Sequence, residues 1–219
     1  MEVLEGLKKE LTEKYPNVQV EVAKLDVNKW ETIKPVFLEL KEKLGKIHVV
    51  IANAGVSSNG RVGTGNLANH IECINTNLIG AMATIDCGVE YFREVGSGTV
   101  VGMSSMMSSK AVPRLSAYSA TKAGLDHYLE SLRIELYGTK ISVVTINPGF
   151  IETDMTTSVP LSKFPVTKAA SIMRKSIEKK VKQLCVPYWP YILVRFFAFL
   201  IPDWLFARVT MGTNKKKNQ

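Results

Sequence analysis

Hydrophobic residues change their spacing repeatedly along this chain, and each change predicts an element. Val3, Leu4, Leu7 and Leu11 fall on one face at helical spacing, so the first fifteen residues predict a helix that Pro16-Asn17 stops. Val18, Val20, Val22, Leu25 and Val27 then interleave with polar residues and predict a strand, with Asp26 near its end. Asn28 offers a cap for a helix from about Lys29 to Leu44, bent or shortened by Pro35 and closed by Gly45. Ile47 to Ala52 is a short apolar run ending in Asn53-Ala54-Gly55, the pattern of a strand buried on both faces. A long helical pattern covers Asn66 to about Val95, and a strand follows from Gly96 to Met103. After a loop from Ser104 to Arg114, Ser116 caps a helix that runs to about Tyr137 and stops at Gly138. Ile141 to Ile146 predicts another buried strand, closed by Asn147-Pro148-Gly149, and Thr167 to Leu184 predicts a basic helix.

Strand and helix alternate throughout. That alternation predicts an α/β fold, a doubly wound and mostly parallel sheet with helices on both faces. Such sheets take ligands beyond the carboxyl ends of their strands. The residues expected there are Asp26, Asn53-Ala54-Gly55, Ser104-Ser105 and Pro148-Gly149.

Composition narrows the class. A chain of 219 residues with 46% hydrophobic and 22% charged residues has enough material for one sizeable core. Cys73, Cys87 and Cys185 form neither a disulfide framework nor a zinc motif, and they read as small buried residues in a reducing compartment. His48, His70 and His127 have no metal-ligand spacing, so no metal site is expected. The charged start, Met-Glu-Val-Leu-Glu, is not a secretory leader, which leads to the expectation of a cytoplasmic protein.

The net charge of +8 is unevenly placed. From Leu161 to Gln219 twelve basic residues stand against Glu178 and Asp203, a balance of +10, while the preceding residues balance at −2. The basic character therefore belongs to the C-terminal part. Its run from Pro187 to Val209 is aromatic and apolar, but Pro190, Arg195, Pro202 and Asp203 interrupt it, so it predicts two short surface helices and not a membrane span. The organisation expected is a dinucleotide-fold domain over residues 1–186 and an apolar, basic segment over 187–219. That segment reads either as a lid or dimer contact, or as a peripheral contact with an anionic membrane. The slightly acidic body argues against nucleic acid.

Tyr118 and Lys122 carry the candidate chemistry. They stand one helical turn apart, and no other tyrosine has a lysine four residues on. A phenol is a poor acid-base group near neutrality, with an unperturbed pKa of ~10. A neighbouring cation favours the phenolate, so Lys122 is expected to lower the Tyr118 pKa. Ser105, at a strand end thirteen residues earlier, offers a hydroxyl to a substrate oxygen. Asn75 and Asn77 are polar residues inside a helix, where propensity disfavours them.

Asn53-Ala54-Gly55, Asn77-Leu78-Ile79-Gly80, Ser104-Ser105, Tyr118-x-x-x-Lys122 and Pro148-Gly149-x-Ile151-x-Thr153 follow one another in this order. In order and spacing they resemble the short-chain dehydrogenase/reductase family, over roughly Val18 to Met155. The resemblance implies a catalytic set. Tyr118 would be the acid/base, Lys122 would tune it and hold the nicotinamide ribose, Ser105 would orient the substrate oxygen, and Asn77 would anchor a water in a proton relay. It also implies an NAD or NADP site. Asp26 and Val27 would meet the adenine, Asn53, Ala54 and Gly55 the ribose, and Pro148, Gly149, Ile151 and Thr153 the nicotinamide and pyrophosphate.

The family also opens with a strand, a glycine-rich turn, a helix and a second strand that have no counterpart in this sequence. Ala52 stands where many members have Asn. The resemblance therefore implies a weakened cofactor site. It also implies either a gap beside the Ile47–Ala52 strand or the Val18 strand moved in to fill it. Two readings of function follow. One is an NAD(P)-dependent oxidoreductase that interconverts a carbonyl and a secondary alcohol on an apolar, lipid-like substrate, as a homodimer or homotetramer. The other is a catalytically inactive, dimer-forming or binding subunit.

Overall fold

In the computed structural model, which describes residues 1–157, 162–189, 192–193, 197 and 200–212, four parallel strands form one sheet. They are β1 (Val49–Ala52), β2 (Gly98–Met103), β3 (Ile141–Pro148) and β4 (Gln183–Val186), ordered 1-2-3-4. Val50 pairs with Val100, Val101 with Val144, and Ile146 with Leu184. The helices are α1 (Glu2–Lys14), α2 (Ile33–Leu44), α3 (Leu67–Ile74), α4 (Ala81–Val95), α5 (Ser116–Glu135), α6 (Val166–Glu178) and α7 (Asp203–Gly212).

Two apolar layers hold the sheet. On one face α4 and α5 pack Ile85, Phe92, Leu125 and Leu129 against Val50, Val100 and Val143. On the other, α6 sets Ala169 and Met173 against Val101, Val144, Ile146 and Val186. Helices on both faces of a parallel sheet are the expected doubly wound arrangement. Close approach needs glycine at two sheet positions. A Cβ on Gly98 would lie 2.1 Å from Phe92, and one on Gly102 would lie 2.4 Å from Leu129.

Several sequence expectations change. Residues Val18 to Val27 form no strand, because none of the described residues pairs with them. Their end is instead held on a helix. Asn28 accepts a hydrogen bond from Thr76, and Val27 lies where a Cβ on Gly80 would be 2.8 Å away. Among the described residues β1 pairs with β2 alone, so its other edge is open and the Val18 segment has not filled it. Asn28 does not cap α2; a short 3-10 turn, Trp30–Thr32, leads into that helix.

The long Asn66–Val95 helix is interrupted by a π-helical turn over Asn75–Gly80. Ser116 is the first residue of α5, and no side chain caps that helix. The basic helix ends at Glu178, and Lys180 then adopts a positive φ of 54°. This turn releases Gln183–Val186 to pair with the open edge of β3 as a strand that helical periodicity conceals. Of the two short helices expected after Pro187, the described residues include α7; much of the other lies outside them.

Candidate functional site

The carboxyl ends of β1, β2 and β3 open onto one cavity of about 570 Å³. Each strand delivers its residues there for a local reason. β1 stops at Asn53-Ala54-Gly55, and the backbone at Gly55 passes so close to the neighbouring helices that a Cβ would lie 3.3 Å from Asn77 Oδ1 and 3.7 Å from Lys122 Nζ. β2 ends at Met103, and Ser105 then opens a 3-10 turn (Met106–Ser108), its hydroxyl accepting a hydrogen bond from Met107 N at 3.2 Å. β3 ends in Pro148, followed by Gly149. α5 begins beneath them, so its first turns present Tyr118 and Lys122.

Of the residues expected in the site, Asn53, Gly55, Ser105, Tyr118, Lys122, Pro148, Gly149, Ile151 and Thr153 line this cavity. Ala54, Asn77, Asp26 and Val27 do not. Asp26 is exposed and closes a local turn by accepting from Asn28 N at 3.0 Å. Asn77 is fully buried, and its amide clamps Val56. Oδ1 accepts from Val56 N at 2.7 Å, and Nδ2 donates to Val56 O at 2.8 Å. Its side chain thus fixes the loop behind Gly55.

Lys122 is buried, and its ammonium donates to Met103 O at 2.7 Å while lying 5.6 Å from the Tyr118 ring centroid. Burial lowers its pKa to about 8, with Cys73 and Asp126 pulling the other way. The ammonium form still prevails at neutral pH. The expectation for Tyr118 is corrected. Burial dominates and pushes its phenol up, with the nearby Ser105 hydroxyl opposing. Burial thus favours the protonated form of the Tyr118 phenol.

A supporting network was not anticipated. Asn147, fully buried at the end of β3, donates through Nδ2 to Ser105 O (3.2 Å), to Ser108 Oγ (3.2 Å) and to the Asp126 carboxylate (3.1 Å). Ser108 Oγ also donates to Asp126 at 2.8 Å. These bonds fix the turn that carries Ser105. Two signals were present in the sequence: Asp126 lies four residues after Lys122 on the same helix face, and Asn147 is a polar residue at the end of an apolar strand.

The rest of the wall is apolar. Met103, Met106, Met107, Met155 and Met173 contribute, and Ile201 and Phe206 close the cavity from the C-terminal segment. Lys110 ties that segment down. Its ammonium lies 3.1 Å from Asp203 Oδ1 and 5.4 Å from the Phe206 ring centroid. Asp203 is exposed, so the ion pair itself contributes little. Among the described residues no cluster of His, Cys, Asp and Glu could hold a metal ion.

The sequence profile described as short chain dehydrogenase matches residues 1–163. An uncharacterized oxidoreductase of Mycobacterium tuberculosis is 38% identical over 203 residues, covering 91% of this chain and 80% of its own length. Among solved structures, a short-chain dehydrogenase from Streptomyces avermitilis superposes with a TM-score of 0.75 at 26% identity, covering 96% of this chain and 86% of that one. An alcohol dehydrogenase from the archaeon Thermococcus sibiricus, complexed with 5-hydroxy-NADP, gives 0.75 at 24% identity over 84% of this chain and 80% of that one, which is a likeness of fold.

Proposed function

The chain belongs to the short-chain dehydrogenase family, and from that premise we propose that it is an NAD(P)-dependent oxidoreductase that interconverts a carbonyl and a secondary alcohol on an apolar substrate. The observation that carries this reading is that Ser105, Tyr118 and Lys122 line one cavity at the carboxyl ends of the strands. NAD or NADP, when bound, supplies or accepts the hydride. The residues present fit a dinucleotide: Gly55 allows close backbone approach, Lys122 offers a cation beside it, and Asn53, Pro148, Gly149, Ile151 and Thr153 share the same wall.

The protein's own part is the proton. In the reducing direction the Ser105 hydroxyl and the Tyr118 phenol donate hydrogen bonds to the substrate carbonyl oxygen. Tyr118 then gives its proton to that oxygen as the hydride reaches the carbon. The Lys122 ammonium, 5.6 Å from the Tyr118 ring centroid, stabilises the phenolate that forms. A phenol kept protonated by burial suits this direction. Asp26 and Val27 hold the adenine side in this reading. Asn77 acts by fixing Val56, and the backbone of its π-helical turn is left to hold a relay water.

An apolar substrate follows from the wall of methionines, whose unbranched thioethers adapt to varied shapes, and from the Ile201–Phe206 cover. The outer surfaces of α4 and α5 form the contact of a homodimer or homotetramer in the same reading. The test is an assay of NADH and NADPH oxidation, at millimolar cofactor, against ketones of increasing apolar size. Turnover is expected to favour the larger ketones, and Phe206→Asp is expected to erase that preference by raising KM. Failure to oxidise either cofactor with any ketone would refute the reading.

A further inference from the structure

Helix α7 is apolar on two sides. Phe206 faces the cavity, together with Ile201 just before the helix. The outward side carries Trp204, Leu205 and Met211, all exposed, with Arg208 among them. Trp204 is 68% exposed, and upstream Tyr188, Trp189, Phe197 and Leu200 are exposed as well. A helix with apolar groups on two sides calls for cover on both, and exposed apolar groups concentrated in one segment mark a contact surface.

Charge narrows the partner. Residues 161–219 carry twelve basic side chains against Glu178 and Asp203, whereas the residues before them are slightly acidic in balance. Within residues 187–219 themselves Arg195, Arg208 and Lys215–Lys217 stand against Asp203, so a second copy docking through the same segment would bring like charge to like. A nucleic acid backbone would satisfy the cations but would leave Trp204, Leu205 and Met211 without apolar cover. An anionic lipid surface satisfies both. Its headgroups take the cations, including Arg208 and Lys215–Lys217, and its interfacial region takes tryptophan, tyrosine and leucine. None of the helices, among the described residues, is long and apolar enough to cross a membrane. We propose that the outward face of α7, with the exposed Tyr188, Trp189, Phe197 and Leu200 before it, docks on an anionic membrane, with α7 lying in the plane of the interface. Docked this way, the Ile201–Phe206 side of the cavity faces the layer in which apolar molecules collect. That consequence rests on the proposed function, whereas docking itself does not.

The experiment uses the full chain, without cofactor or substrate, in flotation with vesicles of phosphatidylcholine alone and of phosphatidylcholine containing phosphatidylserine. Binding is expected on the phosphatidylserine vesicles, weaker by about tenfold or more on phosphatidylcholine alone and at high salt. Trp204→Ser should weaken it. Arg208→Glu, an exposed change that leaves the cavity side untouched, should weaken it on the anionic vesicles and decides the matter if Trp204→Ser fails to fold. Absence of binding to either vesicle overturns the proposal, as does equal binding by parent and Arg208→Glu. Self-association that Trp204→Ser abolishes, with no vesicle binding, assigns the face to a second copy and also overturns it.

Discussion

β1 and β2 lie side by side in register, and both are built from β-branched residues, yet they end in different environments. Val100 and Val101 of β2 are fully buried, one on each face of the sheet. On β1, Val50 and Ala52 are buried against α4, but Val49 and Ile51 on the opposite face remain 41% and 47% exposed. The two strands pair with each other, but β2 also pairs with β3 along its other edge. The difference is cover: α6 and β4 complete the sheet on the far side of β2, while no described strand flanks β1 on its outer edge. Burial in a parallel sheet is thus a property of neighbours, and an apolar run acquires it only where the next layer is present.

The same lesson explains Val18–Val27 and α1. The alternation in Val18–Val27 is as strand-like as the apolar run of β1, but a ladder needs a second strand, and without one the segment is anchored by Val27 on Gly80 and by Asn28 on Thr76. α1 has helical spacing and no buried residue at all.

The largest expected effect separates the two strands directly. Val101→Asp puts a charge into the layer beneath α6 and should cost more than about 5 kcal/mol, enough to abolish cooperative folding of a domain this size. Ile51→Asp, one strand over, should cost less than about 1 kcal/mol, because its side chain already meets solvent. Urea titrations of the two variants measure the contrast; equal losses would mean that the outer face of β1 is covered.

A smaller effect sharpens the comparison within the covered region. Burial lowers the Lys122 pKa to about 8. The unfolded chain holds that proton up to an ordinary pKa of ~10.4, so between these values it binds more protons than the folded chain. Stability from this group therefore rises with pH across the window from about 8 to about 10.4 and is lost again as pH falls. Relative to Lys122→Met, the parent should gain up to about 3 kcal/mol across the window, read from denaturation midpoints at successive pH values. A flat difference would contradict a buried ammonium.

Much of the site was legible because its residues sit where the fold forces chemistry to sit. Ser105, Tyr118, Lys122 and the Pro148–Thr153 segment follow strand ends or open a helix, and their order along the chain resembles the family's. What stayed hidden depended on distant partners. Gln183–Val186 continues a helical pattern in the sequence and becomes a strand only because β3 offers an edge. The pKa expectation for Tyr118 counted one cation and missed the burial that outweighs it. The Asn77 amide holds Val56, a residue more than twenty positions away. Phe206 joins the cavity wall from over eighty residues after Tyr118, which no local period signals.

In the proposed reaction the Tyr118 phenol moves the proton, and Tyr118→Phe tests that step most directly. The substitution removes one oxygen and leaves the ring in place. With an apolar ketone and saturating NAD(P)H, kcat should fall by about 10²-fold or more, while the KM for the cofactor stays within a few-fold of the parent. A kcat within a few-fold of the parent would contradict the assignment.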